Sequence, residues 1–242
     1  MQNKLLFISV FNLGGIELAL NHLESLKRQN IENYMAYVTD QECYNIVFKK
    51  GYKVELLKYE DITQEKADFG TIHFNDLSYV RYKVMENLLV KGQPVWYLDV
   101  DTVVLQNLND VYDELKYSNY DIAMQDDINM YCTGCMLLFP KPITLKLVKS
   151  IYFNKSNEEN DQIILFKILN DNPNKIKIFK LNKFQFPNGL LFFNDLNNDV
   201  HLRELQLLFV QSQHPIYLVH ANWMVGIETK ITAFKSKGLW FI

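Results

Sequence analysis

Strand-like and helix-like segments alternate along this chain, and that alternation constrains the fold more than any other feature. The strand-like segments are Leu5 to Val10, Asn33 to Thr39, Pro94 to Leu98, Asp121 to Gln125, Met136 to Phe139, Ile176 to Phe179 and Ile216 to Val219. Apolar residues at helical spacing predict five helices. The first carries Ile16 to Leu26, the second begins at Ser78 and ends at Gly92, and the third begins at Pro142. The fourth covers Glu158 to Leu169, and the last covers Val225 to Lys237. Such alternation is typical of βαβ units, so the sequence predicts an α/β sandwich with a mostly parallel sheet.

Composition limits the class of protein. The chain has 242 residues, of which 48% are hydrophobic, so we expect one globular domain over residues 1–242. Its net charge of −3 argues against general nucleic-acid binding, which needs a basic surface. We find no apolar run of about 18 residues, so no membrane span is expected. The polar segment 194–199 is predicted to be a surface loop, and the oligomeric state stays open.

The three cysteines favour a reducing, cytoplasmic location, because an odd count without a disulfide framework is unusual in secreted proteins. Cys132 and Cys135 form a C-x-x-C pattern, which could indicate redox chemistry or zinc. A redox pair needs a helix start just after its first cysteine, yet a strand-like segment ended by Pro140 follows. A structural zinc needs a second ligand pair, and none is evident. We therefore expect neither use.

The stretch Val95 to Asp101 carries the strongest chemical signal. Its apolar run ends at two carboxylates, Asp99 and Asp101, which period-2 strand geometry places on one face. The two like charges repel each other unless a cation lies between them, and a hard divalent ion with oxygen ligands is the simplest candidate. The alternative is a solvated turn after a core strand.

Glycine-rich phosphate loops are missing from the sequence. The first strand is followed only by Gly14 and Gly15, and no G-x-x-x-x-G-K-[ST] occurs. A bound diphosphate would therefore need the acid-bound metal and nearby cations. The candidates are Arg81, Lys83 and Lys230, each of which could instead be a surface cation.

A set of short motifs resembles a known family in its order along the chain. The motifs are Phe69-Gly70-Thr71, Tyr79 to Lys83, Tyr97 to Val104, Thr133 to Met136 with Pro140, Asn160-Asp161-Gln162, Phe186 to Gly189, His220 to Trp223 with Gly226 and Lys230, and Gly238-Leu239-Trp240. Together they resemble the GT-A superfamily of glycosyltransferases and are most similar to its GT77-like nucleotide-diphospho-sugar transferase group. The resemblance implies a GT-A fold, which is Rossmann-like with a mixed, mostly parallel sheet flanked by helices.

The resemblance implies a metal site. Asp99, Asp101 and His220 would hold Mn²⁺ or Mg²⁺ on the diphosphate of the donor. Asp99 would bind the metal, the ribose of the nucleotide or both. Lys230 would grip the diphosphate as a point charge. An imidazole beside two carboxylates suits Mn²⁺ better than Mg²⁺. The alternative for His220 is a hydrogen-bonded histidine at a strand end.

The resemblance also implies contacts to the sugar nucleotide. Asp161 would be the catalytic carboxylate, as general base or nucleophile, or else the first-turn acid of a helix capped by Asn160. The remaining candidates are Val10, Asn12 and Asp40 near the base, Asp126 and Asp127 on donor-sugar hydroxyls, Thr133 and Gly134 in the sugar and acceptor pocket, and Gln162, Asn222 and Gly226 beside the donor. Cys132 stands where the family often has asparagine, and the basic pattern near Arg81 is rearranged.

The function implied is metal-dependent transfer of a sugar from a nucleotide diphosphate, with UDP as the expected nucleotide, to a hydroxyl of a saccharide acceptor. One alternative is a nucleotidyltransferase that makes sugar nucleotides, although Phe11 to Gly15 lacks the basic residues of that class. The other is a non-catalytic carbohydrate-binding protein with the same fold.

Overall fold

The structure is a computed structural model that describes residues 3–58, 72–156, 158–172, 175–193 and 200–242. The strands are β1 (Leu6–Phe11), β2 (Tyr34–Val38), β3 (Val54–Leu56), β4 (Val95–Leu98), β5 (Thr102–Val104), β6 (Ile122–Asp127), β7 (Met130–Leu138), β8 (Ile178–Leu181) and β9 (Leu218–His220). The helices are α1 (Ile16–Arg28), α2 (Gln41–Lys49), α3 (Ile72–Val90), α4 (Asn109–Leu115), α5 (Pro142–Phe153), α6 (Asp161–Asp171), α7 (Gly189–Phe193), α8 (Val200–Gln211) and α9 (Ile227–Ser236).

The main sheet of the described chain has the strand order β3-β2-β1-β4-β7-β6-β8. Strand β7 is antiparallel to both of its neighbours, β4 and β6, and the other pairings are parallel. The prediction of an α/β fold with a mostly parallel sheet is therefore confirmed. Since the parallel strands end at one edge, residues that follow β1, β4 and β6 lie along the same side of the molecule.

Helices cover both faces of the main sheet. Alternate residues of β4 face opposite ways, so Trp96 and Leu98 enter one core with α1, α2 and α4, while Val95 and Tyr97 enter the other with α3, α5 and α6. All four of these side chains are buried. The carboxyl end of β4 is therefore held rigidly from both sides.

A second, two-stranded sheet joins distant parts of the chain. Strand β5 pairs antiparallel with β9, and this pairing sets Thr102 opposite His220. The backbone N–H of Ala221 donates to the carbonyl of Asp101 at 2.8 Å. Val103, Val219 and helix α9 form a separate apolar cluster behind this sheet. The late histidine is thereby brought to the acids that follow β4.

Several boundaries differ from the sequence-based expectation. Helix α3 begins at Ile72, so the prediction of a cap at Ser78 was wrong, because serine inside a helix costs little and does not by itself mark a start. Strand β7 begins at Met130 rather than Met136, since a tight turn at Ile128 and Asn129 joins it to β6. Helix α6 begins at Asp161 rather than Glu158, with Asn160 as its cap.

Some expectations lie outside the described residues, namely the loop 194–199 and the motif Phe69-Gly70-Thr71. Within the described part of the chain, every helix is too short or too polar to cross a lipid bilayer.

Candidate active site

Two acids and one histidine meet at the carboxyl edge of the sheet. Asp99 follows β4, Asp101 precedes β5 and His220 ends β9, and their candidate ligand atoms all lie within 4.8 Å of one another. His220 Nε2 lies 3.1 Å from Asp101 Oδ1 and 4.0 Å from Asp99 Oδ2. The two acids were predicted from their spacing and His220 from the family resemblance, and the fold brings all three together.

The donor set fits a divalent cation. Metal–oxygen bonds of about 2.1 Å place adjacent ligands of an octahedron about 3 Å apart and opposite ligands about 4.2 Å apart, so the separations of 3.1 and 4.0 Å are compatible with one shared ion. Space for an ion is also preserved on the β7 side. A Cβ atom added to Gly134 would lie 2.3 Å from Asp99 Oδ2 and 2.6 Å from His220 Cε1. A glycine at this position keeps the acids and the imidazole accessible to each other.

The carboxylate of Asp101 is paired with two groups that can carry positive charge, His220 and Lys230. His220 binds its Oδ1, and Lys230 Nζ donates to its Oδ2 at 2.6 Å. Burial alone would favour the neutral acid, but Lys230 and His220 hold the pKa of Asp101 well below its usual range. Burial would lower the pKa of His220, yet Asp101 and Cys132 raise it well above its ordinary value. These two groups thus keep the carboxylate of Asp101 ionised. A divalent ion held by the trio would replace the proton on His220 Nε2 and supply the positive charge instead.

Gln125 fixes the orientation of the His220 ring. Its Nε2 donates to the backbone carbonyls of Phe186 and Pro187 at 3.0 and 3.2 Å. Its Oε1 therefore points at His220 Nδ1, 2.8 Å away, and accepts the proton of that nitrogen. This leaves Nε2 toward Asp99 and Asp101. Carbonyl partners of this kind commonly orient metal-binding histidines.

Arg81 links the metal site to Asp161. The guanidinium is buried, and its Nη1 donates to Asp99 Oδ1 at 2.9 Å. Its Nη2 donates to Asp161 Oδ2 and to Thr133 Oγ1. Burial would lower the pKa of Arg81, but the nearby carboxylate of Asp161 raises it well above its usual range. This buried cation faces the same space as the acids.

Asp161 is directed into the site rather than into its own helix. Asn160 caps α6, because its side chain accepts from the N–H of Ile163 at 3.0 Å. Asp161 is 5% exposed and accepts from Arg81 and Tyr82, both at Oδ2. Among the described residues no donor binds Oδ1, so that oxygen keeps its capacity to accept a hydrogen bond.

An irregularity in β7 presents Thr133 and Gly134 to the site. In β6, Met124 and Gln125 are adjacent, but their partners in β7 are Met136 and Cys132. The extra β7 residues form a bulge, and the carbonyl of Gly134 accepts from Asp99 N at 2.8 Å. Bulges of this kind often redirect side chains next to active sites.

Asp127 is the centre of a second polar group at the same edge, which we call the Asp127 cluster. Its Oδ1 accepts from Asn188 and Asn222 at 3.2 Å each and from Trp223 Nε1 at 2.6 Å. Its Oδ2 accepts from Gln162 Nε2 at 3.1 Å. Asp127, Gln162 and Asn222 therefore lie together, and all three were predicted to contact the sugar-nucleotide donor.

Four other predicted site residues have local partners within the protein. Asn12 follows β1 and accepts from Gly14 N, and Asp40 follows β2 and accepts from Leu13 N and Cys43 N. These side chains therefore cap local turns, with buried Val10 beside them. The carboxylate of Asp126 pairs with Lys180.

Lys83 and Gly226 have local roles in the structure. The ammonium of Lys83 contacts Glu86 and lies 4.1 Å from the centroid of the Tyr152 ring, so the fold does not direct it at the acids as it directs Arg81. Gly226 precedes α9 with φ of +90°, a conformation that glycine adopts most readily, and so sets the start of the helix that carries Lys230.

The three cysteines are free and buried. Cys132 Sγ lies 3.7 Å from His220 Nδ1, and both C-x-x-C thiols are in β7 rather than at a helix start. Burial raises the pKa of both Cys132 and Cys135, which disfavours reactive thiolates.

His22 is a site residue that the sequence analysis missed. It is fully buried in α1, with Nε2 3.0 Å from Ser9 Oγ and Nδ1 2.9 Å from Thr102 Oγ1. Thr102 Oγ1 in turn donates to the carbonyl of Asp99 at 2.8 Å. The segment between the two acids is therefore anchored to α1. Its only sequence signal is a histidine on the apolar face of a helix, which has no specific meaning.

Neutral His22 should make stability depend on pH. Burial lowers the pKa of His22 from 6.5 to about 4, so between these values the unfolded chain binds a proton that the folded chain does not. Stability from this residue is complete above about pH 6.5 and falls by about 3 kcal/mol as pH approaches 4. Urea unfolding near neutral and near pH 4.5 should show a flatter dependence in His22→Gln than in the wild type. The exposed-site control His214→Gln should keep the wild-type slope; equal slopes in all three proteins would contradict this account.

A sequence model of the nucleotide-diphospho-sugar transferase family matches residues 29–234 of this chain. A UDP-galactose:fucoside alpha-3-galactosyltransferase of Dictyostelium discoideum is 23% identical, over 96% of this chain and 42% of its own length. The UDP-D-xylose:L-fucose alpha-1,3-D-xylosyltransferase 3 of Arabidopsis thaliana is 26% identical, over 100% of this chain and 67% of its own length. The chain thus spans about two fifths of the Dictyostelium relative.

Solved structures share the fold. Galactosyltransferase LgtC, in complex with donor and acceptor sugar analogs, matches with a TM-score of 0.60 and 13% identity over 99% of this chain and 97% of that chain. Mouse xyloside xylosyltransferase 1 in its apo form matches with a TM-score of 0.54 and 13% identity over 92% of this chain and 98% of that chain. These likenesses confirm the GT-A fold. Since the family model covers most of its length, the chain belongs to the nucleotide-diphospho-sugar transferases.

Proposed function

We propose that this chain transfers a sugar from a UDP-linked donor to a hydroxyl of a saccharide acceptor, with a divalent ion at Asp99, Asp101 and His220. The observation that carries the proposal is this oxygen–oxygen–nitrogen trio at the carboxyl edge of the sheet, in a member of a sugar-transferase family. The names of the two curated relatives support UDP-galactose or UDP-xylose as donor and a fucoside as acceptor. The hard oxygen ligands and the imidazole favour Mn²⁺ over Mg²⁺.

The residues around the trio suit departure of a diphosphate. In the reaction the bond between the sugar carbon and the β-phosphate oxygen breaks, its electron pair leaves with the phosphate, and the acceptor oxygen bonds to the carbon. When bound, the ion would supply Lewis-acid stabilisation of the charge that develops on the diphosphate. Lys230, held at the site by Asp101, would add a fixed positive charge on that same group. The acceptor's proton passes to a base or to solvent.

Arg81 and Asp161 would act on the sugar side. The buried guanidinium of Arg81 donates to both carboxylates, so it would hold Asp99 and Asp161 in fixed positions for the bound donor. Asp161 is our candidate for the carboxylate beside the reacting carbon, as base or nucleophile. Thr133 and Gly134 would border the same sugar.

We expect Asp161→Asn to lower turnover about tenfold while UDP affinity changes by less than about twofold, because the carboxylate acts on the sugar and not on the nucleotide. Steady-state rates of UDP release and calorimetric titration with UDP would measure the two quantities. Asp171→Asn, at the other end of α6, is the matched control and should leave both unchanged. Normal turnover in Asp161→Asn would remove Asp161 from the chemistry.

The proposed function is tested by incubating the protein with UDP-galactose or UDP-xylose, Mn²⁺ and a methyl fucoside, and measuring UDP. Acceptor-dependent release of UDP and a disaccharide product support the proposal. Release of pyrophosphate from UTP and a sugar 1-phosphate would instead identify a nucleotidyltransferase. Nucleotide binding without turnover on any acceptor would identify a non-catalytic binding protein. The single domain and the reducing, cytoplasmic location stay predictions.

A further inference from the structure

Trp223 is the most unusual side chain near the site. It is 54% exposed, and it has a φ of +66°, a left-handed conformation that is rare and costly for a bulky residue. Strained residues of this kind persist where the surrounding structure fixes them, and they cluster at binding and catalytic sites. The conformation of Trp223 is therefore typical of a residue at a binding site.

The side chain is oriented opposite to an ordinary surface tryptophan. Usually the ring is buried and the N–H reaches toward water. Here the N–H donates at 2.6 Å to Asp127, a carboxylate only 6% exposed, while much of the residue stays in solvent. The structure thus buries the polar end and displays the apolar ring. An aromatic ring held in one orientation at the surface is suited to receive a ligand.

The Asp127 cluster makes this orientation rigid. Asn188 and Asn222 each donate to Asp127, and each also accepts a backbone N–H, that of Leu191 and of Gly189 respectively, both at 2.9 Å. The two amides are therefore held at both ends. These two amides and the indole N–H all donate to Oδ1 of Asp127. Trp223 therefore cannot turn without losing a short hydrogen bond.

Hydrogen bonds connect Trp223 indirectly to the proposed reacting groups. Gln162, which donates to the other oxygen of Asp127, directly follows Asp161. On the opposite side, Asn222 donates to Cys132 Sγ at 3.8 Å, and that sulfur lies 3.7 Å from His220 Nδ1. The Asp127 cluster thus connects Trp223 to both the proposed metal site and the proposed sugar-side acid.

Apolar surface continues next to the cluster. Ile128, adjacent to Asp127 in the chain, lines a cavity of about 120 Å³ together with Leu190, Leu191 and Leu202. Asn188 also lines this cavity, so the cavity and the Asp127 cluster share a wall. Val225, two residues after Trp223, is 76% exposed. A ligand here would meet apolar surface beside fixed polar groups.

We propose that Trp223 is the platform on which the acceptor saccharide stacks. A pyranose presents carbon-bound hydrogens on one face and hydroxyls at its rim, so it can lie on an indole while its hydroxyls reach polar groups such as Gln162. A fucoside adds a methyl group that suits the neighbouring apolar surface. The inference rests on the proposed function, since it assigns the acceptor side of that same site.

The test uses methyl fucoside as the probe with protein loaded with UDP and Mn²⁺. Trp223→Ala should raise the acceptor KM by about tenfold or more, the loss expected for an aromatic contact, and should change UDP affinity by a much smaller factor. Trp223→Phe keeps a ring but not the N–H, so its KM should fall between the two. Phe48→Ala, which removes a 64% exposed aromatic residue from α2, is the matched control and should behave as the wild type.

Saturation-transfer NMR separates this proposal from the proposed function, because it detects the saccharide on the protein without turnover. Saccharide signals present in the wild type and lost in Trp223→Ala support the platform, even if no protein in the series releases UDP. An unchanged acceptor KM and unchanged signals in Trp223→Ala would overturn it. An equal loss of UDP affinity would also overturn it, because Trp223 would then only support the Asp127 cluster.

Discussion

We expect Asp101→Asn to abolish Mn²⁺-dependent binding of UDP and to lower turnover by at least about a hundredfold, the effect of losing a main electrostatic contact at a reacting centre. Asp101 is the residue on which the cations of the site converge. Its two oxygens bind His220 and Lys230, and it belongs to the proposed metal trio. An amide offers one weaker acceptor and no charge, so all of these partners lose their counter-charge together. Titration with UDP, with and without Mn²⁺, measures the first effect, and UDP release measures the second.

The same substitution has a structural cost that must be measured separately. It leaves Lys230 and His220 close together and mostly buried, and breaking a buried charge pair commonly costs about 3–5 kcal/mol. Thermal unfolding without metal reports that cost, while circular dichroism checks that the fold is retained. Asp113→Asn, at an exposed acid of α4 paired with Lys116, is the control and should change neither quantity. A folded Asp101→Asn protein that still binds UDP more tightly with Mn²⁺ would exclude Asp101 from the metal site.

Local patterns predicted much of the fold. The strands β1, β2 and β4 and the helices α1 and α5 follow from apolar periodicity and from Pro142, because each has a single buried face or a buried run. The short elements β3, β5, α2 and α4 were not predicted. A three-residue strand such as β5 has no periodicity of its own, and it exists because Thr102 pairs with His220 across the chain.

Some residues of the candidate site could also be predicted from the sequence, and others could not. Asp99 and Asp101 could be found from spacing, since both follow one strand, and His220 from the resemblance to a family. Gln125 could not be distinguished from the end of an ordinary strand, because its role depends on the carbonyls of the segment 186–187. Contacts between residues far apart in sequence exist only after folding, so a single sequence carries no local signal for them.

Gly134→Ala should remove metal-dependent activity by about a hundredfold or more, although alanine is the more favourable residue in a strand by about 0.5–1 kcal/mol. The added Cβ would lie 2.3 Å from Asp99 Oδ2 and 2.6 Å from His220 Cε1, far inside contact distance. Backbone movement is opposed on both sides, since Gly134 accepts from Asp99 N and β7 is paired with β4 and β6. The displacement must therefore fall on the carboxylate and the imidazole. We expect weaker Mn²⁺ binding, measured by titration, and an unfolding free energy lower by about 1–3 kcal/mol, because buried side chains must move.

Gly15→Ala provides the matched control for this substitution. The nearest atom to a Cβ at Gly15 is Val100 Cγ2 at 3.6 Å, an ordinary van der Waals separation, so the methyl group is accommodated there. Both variants add the same atoms, and only the one at Gly134 adds them between two proposed ligands. If Gly134→Ala binds Mn²⁺ as the wild type and Gly15→Ala do, then Asp99 and His220 can separate without consequence. An ion shared by the two side chains would not allow that, so this single result would exclude the three-ligand site.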